Sequence, residues 1–199
     1  MANLDEATLE SVAFLGNTLA PFFLQDPRTG LAGAEFAAVA ALDAQAAGAE
    51  WPFADEAEAT RDLAMMVEGL AESRAMSEGG AFCGDDDLMW EYRRLFIGPG
   101  AKPAPPWGSV YTDRECVVFG DTTLELRAWM REHGVARIVD ERTPEDHIGL
   151  MLALMAWLAQ YQPENLEEFL RLHLLTWAGT SWTSWPKPPS TRSTRGLRA

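Results

Sequence analysis

Lysine is nearly missing from this chain: Lys102 and Lys187 are the only two in 199 residues, against fourteen arginines. Acidic side chains outnumber basic ones 30 to 16, for a net charge of −14. A nucleic-acid binder needs a basic face for the phosphates, so that class is excluded; a partner carrying positive charge suits the chain better. Cysteine is scarce too. Cys83 and Cys116 form no CxxC pair and the three histidines are scattered, so no metal-ligand cluster is expected and the thiols read as reduced, in a cytosolic protein. A basic start is absent as well: Asp5, Glu6 and Glu10 stand where a secretory signal would carry Lys or Arg. The longest uncharged apolar stretch, Ile148 to Pro163, is shorter than the ~20 residues of a spanning helix. It reads as a core helix, and the expectation is a soluble cytoplasmic protein with no membrane insertion.

What the chain has is ordinary globular composition, 47% hydrophobic and 23% charged, with helical periodicity almost throughout. Leu88, Met89, Tyr92, Leu95 and Phe96 share one apolar face. Leu166, Phe169, Leu170, His173, Leu174 and Trp177 share another, after Pro163. Thr122 and Glu125 have capping-box spacing, and Gly134 stands where that helix should stop. Thr143, Pro144 and Asp146 mark a further start, with proline in the first turn and a carboxylate near the positive end of the helix dipole. Earlier helices are expected around residues 5–20, 32–47 and 56–76. The fold class is all-α, with residues 1–177 as one helical domain.

Two regions break the pattern. The proline-rich run from Gly98 to Glu115 also holds Trp107, Val110 and Tyr111. Prolines remove amide donors, so this run is expected as an ordered loop rather than helix interior, its aromatics packed on the helices as part of a site. From Ala178 onward acidic residues stop, and Ser, Thr, Pro and four basic residues take over. Residues 178–199 therefore read as an atypical, disordered tail.

Enzymatic readings find little support. Asp113 and Glu115 could act as acid and base, and His147 beside Asp146 as an oriented base, but no nucleophile motif accompanies them. Phe119-Gly120-Asp121 lacks the glycines and lysine of a phosphate loop. No catalytic residue and no cofactor is expected. Peptide binding uses more of the features at once. An acidic surface attracts an arginine-bearing segment, and a groove lined by Trp107, Leu95 and Phe96 holds an apolar run beside it. A basic start followed by an apolar stretch is also the pattern of a bacterial export signal.

The ordered motifs Tyr92-Arg-Arg-Leu95-Phe96-Ile-Gly98-Pro99, Pro105-Pro106-Trp107-Gly-Ser109-Val110-Tyr111, Asp113-Arg-Glu115, Phe119-Gly120-Asp121 and Pro144-Glu-Asp146-His147 strongly resemble the TorD/DmsD family of redox-enzyme maturation chaperones, on its DmsD-like side. The likeness spans about residues 88–177. It implies an all-helical, non-enzymatic protein that binds the twin-arginine leader of a molybdopterin-containing reductase catalytic subunit, of the dimethyl sulfoxide reductase type. It further implies that the subunit is held from the Tat translocon, whose components are further partners, until its cofactor is inserted. The leader-binding positions that the resemblance implies are Tyr92, Leu95, Phe96, Pro106, Trp107, Gly120, Asp146 and His147. Asp146 would pair with a leader arginine, the aromatic and leucine side chains would take the apolar part, and Pro106 and Gly120 would shape the groove. Tyr92 departs from the tryptophan usual in DmsD-like proteins.

The family continues beyond Trp177 with further helices, whereas this chain shows Thr180-Ser-Trp-Thr-Ser-Trp-Pro. With suitable synonymous codons, a one-nucleotide change of frame near Gly179 would read His-Phe-Leu-Asp-Val-Leu-Ala-Glu-Ala, a helical, family-like sequence. The expectation is a bundle of the family type that lacks its C-terminal helices. Two alternatives stay beside the leader chaperone: an assembly factor for the mature reductase subunit, and an enzyme using Asp146 and His147.

Overall fold

The computed structural model describes residues 4–76, 87–97, 102, 105–116, 118–136 and 143–179. Among these the structure is helical, with no strand and one isolated β-bridge. The sequence expectations for residues 180–199, and for most of 98–104, lie outside the described residues.

Helix α1 (Glu6–Leu24) starts at Asp5, whose carboxylate accepts the Thr8 amide at 2.7 Å and satisfies one of the free N–H groups of the first turn. Its buried face is Val12, Ala13, Gly16 and Ala20. Small residues there let α1 lie close along α8 (Ile148–Tyr161): a Cβ added at Gly16 would collide with the Leu152 carbonyl and the Ala156 side chain. Of the described helices, α1 alone is long and apolar enough to cross a membrane by length and composition. Helix α1 is longer than α8 but carries Glu6 and Glu10; the uncharged stretch from Ile148 forms α8, which is the core helix expected, with eight of its fourteen residues buried. The pair α1–α8 anchors the main core, which also takes in Leu126, Trp129, Leu166, Phe169, Leu174 and Trp177. A smaller core joins Ala32, Phe36, Val39 and Leu70.

The helix expected over 32–47 is two: α2 (Gly33–Ala40) and α3 (Ala44–Ala49). Asp43 splits them, because its carboxylate takes the Gln45 and Ala46 amides and so starts a new helix instead of continuing the old one. Helix α4 (Glu56–Met76) matches the expected 56–76. Helix α5 (Asp87–Tyr92) runs into one wider π-type turn, Arg93–Ile97. The run expected to be loop throughout holds one helical turn, α6 (Ser109–Thr112), because its prolines end at Pro106 and the Tyr111 and Thr112 amides can reach the Gly108 carbonyl at 2.9 and 3.1 Å.

Helix α7 (Asp121–Glu132) corrects the expected capping box. Its N-cap is Gly120, with no side-chain cap, and Thr122 lies one residue inside the helix. The Thr122 amide instead donates to Asp113 Oδ1 at 3.3 Å, so a carboxylate from the end of α6 serves as the cap. The stop at Gly134 is as expected: Gly134 adopts φ 68°, and the Val135 amide returns to the Met130 carbonyl at 2.8 Å. The second start is also displaced. α8 begins at Ile148 rather than at Pro144, because His147 is the cap residue and its Nδ1 accepts the Gly149 amide at 3.2 Å. Helix α9 (Pro163–Phe169) follows with proline in its first turn and continues as a π-type turn, Leu170–Leu174.

Candidate functional site

Two chain segments without regular structure meet at the start of α8. Proline has no amide to donate, but its carbonyl still accepts, and Pro106 O takes the Ile148 N–H at 2.8 Å. On the other side of the pair, Gly108 donates to the Asp146 carbonyl at 3.0 Å. These two bonds frame the single antiparallel bridge, Trp107 opposite His147, and set the two rings edge to face with centroids 5.9 Å apart. Gly108 is required here, since a Cβ would press on the Trp177 indole.

Asp146 is 3% exposed and its carboxylate faces inward, where Oδ2 accepts the Ser109 amide at 2.7 Å. Oδ1 is buried and has no partner among the described residues. A small cavity of about 20 Å³ lies beside it, lined by Gly108, Thr122, Asp146, His173 and Trp177. The arginine-pairing role read for Asp146 from the sequence is thus set against a carboxylate turned into the protein and already holding the Ser109 backbone. His147 is also buried, and burial lowers its pKa to about 4. It is therefore neutral at pH 7, and because Nδ1 accepts an amide hydrogen, the ring proton resides on Nε2. Both residues are buried and engaged at the start of α8, Asp146 by the Ser109 amide and His147 by the Gly149 amide.

Tyr92, Leu95 and Phe96 form a second group, at the end of α5 and in the π-type turn that follows it. Tyr92 is buried, its hydroxyl donates to the Phe23 carbonyl at 2.8 Å, and burial raises its pKa. Phe96 packs edge-on against Tyr92 at 4.9 Å and Phe23 at 5.8 Å. Leu95 and Phe96 are half-buried. The two groups connect through the end of α1, because Phe23 and Leu24 sit where a side chain at Gly149 would go. Gly120 stands apart from both. A Cβ there would overlap the Asp113 carboxylate, so this glycine makes room for the group that caps α7. Asp113 is thereby a capping residue, which removes the acid from the acid–base reading of Asp113 and Glu115. The Arg127–Glu145 ion pair, Nε to Oε2 at 2.6 Å, ties α7 to the segment before Asp146.

Phe23, Ser109, Gly149 and Trp177 complete the site, and nothing in the local sequence of Phe23 or Gly149 marks them. Ser109 contributes a backbone amide, and Phe23 and Gly149 act through close packing. The available signals are the motif that holds Ser109 and the helical spacing that puts Trp177 on a buried face.

Residues 54–181, more than half of the chain, match the family model described as nitrate reductase delta subunit. A probable Tat proofreading chaperone DmsD of Haemophilus influenzae is 52% identical over 92 residues, 46% of this chain and 45% of that protein. The Tat proofreading chaperone DmsD of Salmonella typhimurium is 43% identical over 131 residues, 65% of this chain and 57% of that protein. A chaperone protein TorD of Vibrio cholerae is 26% identical over 136 residues, 62% and 59%. The chain spans about half the length of the curated relatives it matches. The matched residues include the whole Trp107–His147 junction and the α5 aromatic group, and the chain belongs to the TorD/DmsD family.

Proposed function

We infer that this protein is a redox-enzyme maturation chaperone of the cytoplasm whose client is the twin-arginine leader of a molybdopterin-containing, dimethyl sulfoxide reductase-like catalytic subunit. It holds that subunit from Tat export until the cofactor is inserted and the subunit has folded. The observation that carries the reading is the junction itself, which holds Trp107 half-buried against His147 inside the span matched by the family. Trp107, Leu95 and Phe96 offer apolar surface to the leader's hydrophobic run. Tyr92, Pro106, Asp146 and His147 fix the backbone that presents them, Gly120 keeps room for the Asp113 cap of α7 beside the site, and the net charge of −14 draws the arginines over long range. A second reading, assembly factor for the mature subunit, is favoured by the family's description as a reductase subunit.

Calorimetric titration with the twin-arginine leader of a molybdenum reductase encoded beside this gene tests the proposal. Saturable binding is expected, weakened about tenfold by Trp107→Ala, as for an aromatic anchor, and weakened by added salt. Equal binding of a Lys-Lys or scrambled peptide would overturn the leader reading. Binding to the folded mature subunit but not to its isolated leader would favour the second.

A further inference from the structure

Helices α1, α2 and α3 enclose a groove of about 650 Å³, within the ~300–1,000 Å³ of clefts that hold ligands. Its floor is apolar: Phe14, Phe22, Val39, Leu42 and Trp51. Phe14 is 50% exposed and Leu42 37%, and the Phe14 ring meets Trp51 edge-on at 5.8 Å. The rim is anionic. Glu10, Glu35 and Glu50 line it, and no lysine or arginine does. The imbalance extends well beyond the rim, since residues 4–60 hold ten carboxylates and one basic side chain, Arg28, which is paired with Asp26 at 2.7 Å.

Glu35 adds an independent observation. Its Oε2 is buried and has no hydrogen-bond partner among the described residues. Buried carboxylate oxygens are normally matched by a donor, and open apolar floors of this size are normally covered. An occupant with apolar bulk and a cation meets both needs at once. Every lining residue precedes residue 54, so the groove lies outside the matched family span and shares no residue with the Trp107–His147 junction.

We propose that this groove is a second polypeptide-docking site, which takes a segment of a partner protein with apolar side chains along Phe14, Leu42 and Trp51 and an arginine or lysine reaching Glu35. It does not rest on the leader reading. Its occupant need not be a leader, and its residues are different ones.

The test places the photoreactive p-benzoylphenylalanine at Leu42 in the full chain. The probe is an 18-residue helical Leu/Phe peptide with two arginines, and its control carries glutamate in their place. Light-dependent cross-linking to the arginine peptide is expected, about tenfold weaker with the glutamate peptide and reduced several-fold by Glu35→Gln. The isosteric Glu35→Gln leaves the helix intact, so loss of cross-linking there reports the charge. The yield should be the same in Trp107→Ala. Equal cross-linking of the two peptides, cross-linking to residues 180–199 of the same chain, or cross-linking to a second copy would overturn the proposal. So would loss in Trp107→Ala, which would make the groove part of the junction site.

Discussion

The α1–α8 seam and the Trp107–His147 junction hold the same molecule together by opposite means. The seam is apolar and built from small residues on regular helices, so its specificity is steric: Gly16 fits against Leu152 and Ala156 because nothing larger can. The junction is polar and irregular. Its specificity lies in matched donors and acceptors, Pro106 O with Ile148 N–H, Gly108 N–H with Asp146 O, and Ser109 N–H with the Asp146 carboxylate. A seam of the first kind tolerates apolar substitutions that keep its volumes. The second kind tolerates almost no change at a few positions, since each loss strands a buried polar group.

The largest effect should come from breaking the seam. Gly16→Leu drives a side chain into the backbone of α8 and is expected to cost about 3 kcal/mol or more, or to prevent folding, as read by urea denaturation. At the junction, Asp146→Ala strands the Ser109 amide and should cost about 2 kcal/mol. Asp146→Asn keeps an acceptor in place and should recover most of that loss. Full recovery by Asn would show that the carboxylate's role is geometric; no recovery would show that its charge matters.

A third experiment separates the regions by pH. The folded-state pKa of His147 is lowered to about 4, so as pH falls below the ordinary 6.5 the unfolded chain takes up its proton first. Stability therefore falls between about pH 6.5 and 4, by up to about 1.4 kcal/mol per pH unit from this group. His147→Asn retains a capping acceptor and should flatten that part of the profile. An unchanged slope between pH 7 and 5 would remove His147 from the account. The smallest effect belongs to the link between α6 and α7. Gly120→Ala displaces the Asp113 carboxylate from the Thr122 amide and should lower the melting midpoint by the equivalent of about 1 kcal/mol.

The contrast between the two regions also explains which parts of the structure could be read from sequence. Periodicity located both apolar faces, because a helix repeats its own signal every turn, and glycine's freedom at a helix end located the stop at Gly134. It failed where one side chain outcompeted the pattern: Asp43 cutting a helix in two, Asp113 capping α7 from another segment, and His147 moving the start of α8. Each of those outcomes depends on a bond to a backbone amide, and local spacing shows several residues able to make it. The motifs around Trp107, Asp146 and His147 fall on two segments that the fold brings together. They could not show that Asp146 and His147 are buried, since burial is set by which segment crosses above them.

The junction also shapes the order in which the chain can fold. Ser109 and Asp146 are 37 residues apart in sequence, a costly loop to close at once. Two shorter contacts lie inside it: Asp113 with Thr122, nine residues apart, and Arg127 with Glu145, eighteen apart. Once those two have formed, the effective loop left to close is about ten residues, which lowers its entropic cost by about 1 kcal/mol. Helix α7 thus acts as the spool on which the outer loop is wound, and the Ser109 amide, last to be buried, should be among the first to exchange with solvent when the fold opens.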